Sequence, residues 1–392
     1  MRFLLAWELG GGFGHVVPLR ALASELRDRG HDCAFAMRHL EPAAAILRDI
    51  PGTLLQAPVS IQANDPPPFE HVSYASILFG CGFHRSTALT ARVLAWRQLI
   101  QLSGCQAVIA HHAPTALLAA HSLPIPAAII GSGFVVPPPE NPFPGFQPET
   151  PEQDARIAAI DGTVLHIVNE SLTRIGSAQL TQLSQLISRC HGGLFTYPGL
   201  DHYAGGHPQP YLGLPDFARG ARTHWGERRE PRLFAYLRPF PGLGRLLQAL
   251  YQLPIQVLVR IADVEATAFA PLRRDGFVIV DRDIDLCAVA ADCDAYINYG
   301  AHGTVAEMLL AGKPGLLIPT TLERSLVSRR TAQLGAALVA PAAADTEYAA
   351  AIRQLFDDSS LRHAAETFAA RHAGQVREQI LPQWLEQWLA QI

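Results

Sequence analysis

The 392-residue chain is 49% hydrophobic and 17% charged, with a formal net charge of −4. That length exceeds one comfortable hydrophobic core and predicts two domains, and the low charge points to large buried sheets. A weakly acidic balance excludes a nucleic-acid surface, which needs concentrated basic residues. Arg2 to Trp7 reads as a buried parallel strand, short and apolar on both faces. This opening run lacks the length and cleavage region of a signal peptide, and no segment approaches the ~20 apolar residues that span a bilayer. A cytoplasmic location is therefore expected.

Gly10-Gly11-Gly12-Phe13-Gly14-His15 follows the first strand. A glycine-rich turn between strand and helix lets a ligand approach the backbone closely. Val16 to Arg29 has helical apolar spacing at Leu19, Leu22, Ala23 and Leu26, and Gly30 ends it. Asp32 to Met37 is the next strand, which makes a right-handed βαβ unit. Ala107 to His111 and Ala127 to Gly131 read as later parallel strands with a helix between them. Val135 to Pro151 is too rich in proline to continue a sheet or helix, and reads as a surface loop on the ligand-binding side of the sheet. The Gly/Pro-rich run after Asp201 reads as a linker. Domain boundaries are placed at 1–204, 205–230 (linker), 231–374 and 375–392.

The second half repeats the pattern. Arg232 to Phe240 is a strand and Leu243 to Gln252 a helix; strands follow at Ile255–Ile261, Gly276–Val280, Ala295–Gly300 and Pro314–Pro319. Val376 to Ile392 is helical, with Trp384 and Trp388 on one face and in need of a packing surface. The six cysteines (Cys33, Cys81, Cys105, Cys190, Cys287, Cys293) form no CxxC pair, and suggest neither a zinc site nor a disulfide framework. No metal site is expected.

The informative segment is Asp294 to Val339. A strand ends at Tyr299, Gly300-Ala301-His302-Gly303-Thr304 makes a turn, and Val305 to Ala311 is a helix. Small residues there expose the first helical N–H groups, and the helix dipole adds positive charge, which suits a diphosphate. Thr304 is placed to cap the helix. Glu307, one turn in, is placed to accept from vicinal ribose hydroxyls, and His302 contributes through its backbone.

This ordered set, with Gly312-Lys313-Pro314, Pro319 and Glu323, resembles the donor-binding signature of nucleotide-sugar-dependent glycosyltransferases of the GT-B fold, the UDP-glycosyltransferase-like group. Those proteins read HGGxGTxxE, then GxP, then a proline followed three residues later by Asp-Gln. The resemblance covers essentially the whole chain. It implies an α/β fold of two Rossmann-like, doubly wound domains facing a cleft, with a C-terminal helix crossing back to the first domain. Gly14-His15 followed by Pro18 also fits, and His15 is implied as the general base that deprotonates an acceptor hydroxyl.

The same resemblance implies donor contacts from Arg282 and Ile284 toward the base, and from Tyr299, Gly300, Ala301, Gly303, Glu323 and Arg324; Arg238 is added because it follows the second domain's first strand. Gly12, Phe13, Gly14, His111, His112 and Phe134 are placed on the acceptor side. Three departures stand out. Tyr299 replaces a histidine and Ala301 a glycine; Glu323-Arg324 replaces Asp-Gln; and His111-His112 occupies the place of the aspartate that pairs with the base.

The expected activity is inverting and metal-independent transfer of a sugar from a nucleotide diphosphate, UDP first and dTDP next. No cofactor is expected, since the nucleotide sugar is a co-substrate. The acceptor is expected to be an apolar small molecule or lipid, given Phe69, Tyr74, Phe79, Phe83, Phe143 and Phe146 in the segments that shape its pocket. Peripheral membrane contact is compatible with such an acceptor. A sugar-nucleotide epimerase or hydrolase, and a silent nucleotide-sugar-binding partner subunit, are the alternatives.

Overall fold

The structure is a computed structural model that describes residues 1–60, 70–147, 150–215, 220–222, 225, 227–228, 230–264, 275–282, 284–375 and 377–392, with Phe13, Arg377 and Glu378 described in backbone only. The chain divides into two compact units, Met1–Asp216 with Val376–Ile392, and Phe217–Gln375.

The first unit holds β1 (Arg2–Trp7), β2 (Asp32–Met37), β3 (Thr53–Gln56), β4 (Ala107–Ala110), β5 (Ala127–Gly131) and β6 (His191–Leu194). Among the described residues these form one six-stranded sheet in the order β3-β2-β1-β4-β5-β6, parallel at every pairing. Its helices are α1 (Val16–Asp28), α2 (Leu40–Leu47), α3 (Tyr74–Leu78), α4 (Ser86–Leu102), α5 (Pro114–Ser122), α6 (Pro151–Arg174) and α7 (Gln185–Ser188). The two-residue period of a strand sends Leu4 and Ala6 to one face, with α4 and α5, and Phe3, Leu5 and Trp7 to the other, with α1. All five are at most 1% exposed, so β1 is covered on both sides.

The second unit contains β7 (Arg232–Leu237), α8 (Leu243–Gln252), β8 (Gln256–Ile261), β9 (Phe277–Val280), α9 (Leu286–Asp292) and β10 (Ala295–Asn298). It continues with α10 (His302–Leu310), β11 (Gly315–Leu317), α11 (Leu322–Gln333), β12 (Ala337–Val339), α12 (Ala349–Asp357) and α13 (Ser359–His372). Its parallel sheet runs β12-β11-β10-β7-β8-β9. Leu246, Leu247 and Leu250 of α8 and Ile352 and Leu355 of α12 cover one face of β7 and β8.

Helix α14 (Arg377–Leu389) belongs to the first unit. Leu381, Trp384, Leu385 and Trp388 join the Phe3–Trp7 face. The Trp384 indole Nε1 donates to the Gly192 carbonyl at 2.9 Å, and a Cβ on Gly193 would stand 2.9 Å from that nitrogen. The bare Gly193 on β6 lets the helix lie against the strand.

Three sequence expectations change. Val135 to Pro151 is not a surface loop throughout: Val135, Val136, Phe143 and Phe146 are buried, and the Phe143 N–H donates to the buried Asp161 carboxylate at 3.1 Å. The linker is shorter than 205–230, because the Leu194 N–H donates to Pro210 and the Leu212 N–H to Leu194, fastening this stretch to the edge of β6. On its far side Ala221 bridges Ile284, and Gln256 donates to Glu227, inside the second unit. Finally, β10 ends at Asn298 rather than Tyr299, and α10 starts at His302 rather than Val305. The Asn298 amide is the cause. Its Oδ1 accepts from the Ala301 N–H at 2.6 Å and its Nδ2 donates to the Tyr236 carbonyl at 3.1 Å, which closes the turn early.

Candidate active site

In the first unit the ends of β1 and β4 bring three imidazoles together. His15 precedes α1, and its Nδ1 lies 3.2 Å from Nδ1 of His111, the residue after β4. One of those nitrogens carries the shared proton, so one ring donates and the other accepts. The His112 ring centre is 6.0 Å from that of His15, and both His112 nitrogens are buried with no hydrogen-bond partner. Trp7 stacks beneath His15 with ring centres 5.2 Å apart, and its own Nε1 is tied to the Leu9 carbonyl at 2.7 Å.

Gly10 explains part of the glycine run. It has φ +80°, and a Cβ there would stand 2.6 Å from Nε2 of His15. Only glycine leaves that imidazole its place. Gly12 is also left-handed, at φ +101°, whereas Gly14 and Gly11 face open space. Phe13 lies in the short turn before α1, and its side chain lies outside the described residues.

Electrostatics keep the histidines neutral. Burial, reinforced by the Arg38 charge, pushes His15 down to about 4. Burial, then the neighbouring His15 and Arg38, pushes His112 down to about 3; His111 is lowered well below its usual value, mainly by burial. Neutral imidazole is the form that can accept a proton. The nearby carboxyl is Glu8, fully buried, which accepts from the Thr115 N–H at 2.9 Å and the Thr115 hydroxyl at 2.6 Å at the start of α5. Burial pushes Glu8 up to about 7 against the pull of Thr115, Arg92 and Arg38. The sequence assigns no site role to Glu8, Trp7 or Arg38, and Gly10 enters it only as part of the glycine-rich turn. An acid directly after a buried apolar strand is the available signal for Glu8.

Phe134 is half-buried, 6.4 Å from His112 and stacked on Phe146 at 5.5 Å. Tyr74, Phe83 and Phe143 are fully buried core residues with Phe79 packed against them, so they do not line an open pocket. Phe69 lies outside the described residues.

The second unit collects its candidates at the ends of β7 and β10. Gly300, φ +84°, follows Tyr299, and Ala301 is the N-cap of α10 with no side-chain cap. Gly303 and Thr304 belong to the first turn of that helix, which corrects the capping role for Thr304: its side chain is buried at 5% exposure inside the helix. His302 is the first helical residue. Glu307 is 6% exposed and its carboxylate lies 4.0 Å from the Cys287 thiol. Arg238 and Arg324 approach the Tyr299 ring, with guanidinium carbons 5.6 and 4.5 Å from its centre. Burial raises the pKa of Glu323, with Arg324 pulling it down. Arg282 is exposed, Asp283 lies outside the described residues, and the Ile284 backbone is engaged with Ala221. Among the described residues, no group of three or more His, Cys, Asp or Glu is arranged to hold a metal ion.

Residues 245–386 match the model of the erythromycin biosynthesis protein CIII-like C-terminal domain. Among solved structures, glycosyltransferase VinC in complex with dTDP is 16% identical with a TM-score of 0.73, over 100% of this chain and 99% of its own. The fold is GT-B. The calicheamicin glycosyltransferase CalG4 shares this GT-B architecture at 17% identity and TM-score 0.73, covering 100% and 98%. SsfS6 of Streptomyces sp. SF2575, complexed with thymidine diphosphate, is 21% identical at TM-score 0.64, covering 99% of both chains. The sequence has no match among curated proteins. Within the GT-B frame, His15 sits at the strand ends of the first unit and α10 starts at those of the second. No helix among the described residues is long and apolar enough to cross a membrane.

Proposed function

We propose that this GT-B chain is an inverting glycosyltransferase that moves a sugar from a nucleoside diphosphate donor to a hydroxyl of an apolar small molecule. The observation that carries this reading is the start of α10. It follows a left-handed glycine, has alanine at its N-cap and comes directly after the Tyr299 ring that two guanidiniums approach, inside a domain of EryCIII-like type. Such a helix start favours a diphosphate through its dipole and the N–H groups of its first turn. The dTDP of the VinC and SsfS6 structures makes dTDP the first nucleotide to test and UDP the second.

In this mechanism neutral His15 takes the proton of the acceptor hydroxyl. The oxygen attacks the anomeric carbon opposite the leaving diphosphate, and the carbon–phosphate oxygen bond breaks with its electron pair passing to that oxygen. Helix and guanidinium groups stabilise the charge that develops there, so the reaction calls for no metal ion. His111 holds the His15 ring through the shared Nδ1 proton, in the role a carboxylate would otherwise fill. Half-buried Phe134 beside the histidines supports an apolar acceptor.

The test is turnover of dTDP- and UDP-sugars with a panel of apolar alcohols and phenols, with and without EDTA. Glycoside of inverted configuration, unaffected by EDTA and lost in His15→Ala, supports the reading. Nucleotide binding without transfer, unchanged in His15→Ala, refutes it in favour of a silent binding subunit. Sugar conversion or release without acceptor points to an epimerase or hydrolase instead.

A further inference from the structure

Two guanidinium groups converge on one phenol ring in the second unit. Arg238 follows β7 and Tyr299 follows β10, and these strands are direct neighbours, with Tyr236 paired to Asn298. Arg324 arrives from the first turn of α11. Tyr299 is 7% exposed, and the Tyr236 ring packs against it at 5.5 Å. Gly300 admits the third partner: a Cβ there would stand 2.8 Å from the Arg324 carbonyl and 2.9 Å from the Ser328 hydroxyl.

Like charges brought this close repel. Burial lowers the pKa of Arg324, and the Arg238 charge acts in the same direction. The ring face offsets part of that repulsion. Asp263 offsets a little more, from 3.5 Å, but its side chain is 63% exposed and its pull is screened by water. Arg324 is further held by a 2.8 Å bond to the Thr320 hydroxyl. Two planar donors held on one ring are suited to an oxyanion carrying more than one charge.

Building on the donor reading, we propose that Arg238 and Arg324 grip the phosphate farther from the nucleoside, and that Tyr299 is the positioning residue that holds both guanidiniums. That phosphate receives the electron pair when its oxygen parts from the anomeric carbon. The grip therefore discriminates a diphosphate from a monophosphate.

Calorimetric titration of the full chain with dTDP, UDP, dTMP and UMP tests this. The wild type is expected to bind a diphosphate roughly ten- to a hundredfold more tightly than its monophosphate. Arg238→Ala and Arg324→Ala each reduce that preference and its salt dependence while leaving monophosphate affinity intact, which also reports correct folding. Tyr299→Leu does the same, and Tyr299→Phe retains the wild-type preference. Variants that leave diphosphate affinity unchanged, or weaken both nucleotide classes equally, overturn the grip and spare the donor reading. A wild type that binds neither diphosphate overturns both. If a nucleotide hexuronate is preferred over the hexose, and Arg324→Ala removes only that preference, the pair serves a sugar carboxylate and the phosphate assignment falls.

Discussion

Gly10→Ala separates the histidine reading from a generic need for small residues. At φ +80° an added Cβ incurs backbone strain of about 1–2 kcal/mol. It would also stand 2.6 Å from Nε2 and 3.0 Å from Cε1 of His15, where ordinary contact begins near 3.4 Å. The imidazole must therefore retreat by about 0.8 Å, the difference between those two distances, while Trp7 blocks retreat from beneath. Displacing a reacting group by about 1 Å can cost on the order of a hundredfold in rate. The expected result is a kcat lower by that order, a near-normal KM for the donor, and a stability loss of about 1–2 kcal/mol by urea unfolding. Gly11→Ala and Gly14→Ala are the controls, since a Cβ at either meets nothing within 4 Å. Equal kcat in Gly10→Ala and the controls would refute the argument that Gly10 exists to seat His15.

Three further outcomes follow from the geometry. His15, His111 and His112 hold lowered pKa values in the fold, so the unfolded chain binds more protons below pH 6.5, and their contribution to stability is lost as pH falls toward 4. Glu8, raised from 4.5 to about 7, acts oppositely and loses its contribution as pH rises through 7. Three groups outweigh one, so urea unfolding should show stability rising from pH 4 to about 6.5, with no further rise above 7; a flat profile contradicts the buried neutral cluster. Trp384→Ala empties a site 2% exposed and should cost about 3–5 kcal/mol, read by denaturant unfolding; a loss under about 1 kcal/mol would deny α14 its structural role. Gly300→Ala strains φ +84° and pushes against Arg324 and Ser328, so calorimetry should show dTDP binding weakened about tenfold or more, whereas unchanged affinity would count against the packing at that turn.

The fold was readable because buried parallel strands are continuous apolar runs: Arg2–Trp7, Asp32–Met37 and Ala127–Gly131 have the same limits in sequence and structure. Candidate site residues were readable where their neighbours in space were also neighbours in sequence, as at Gly300 to Thr304. The remainder depends on contacts across long separations. The His15–His111 bond joins residues 96 apart, and the Thr115–Glu8 bonds residues 107 apart. The early start of α10 depends on where the Asn298 amide finds acceptors and donors, which no local pattern reveals. The inward course of the proline-rich segment likewise turns on Asp161, in helix α6, more than a dozen residues beyond Phe143.

The return of α14 gives the molecule an order of assembly. Trp388, ring centre 5.6 Å from Phe3, covers a β1 residue that is made before the whole of the second unit with a side chain that is made after it. The second unit is an uninterrupted stretch, free to collapse as soon as it emerges. The first is a garment left unbuttoned until α14 has been made, its Phe3–Trp7 flank greasy and available to chaperones or to other nascent chains for the whole interval.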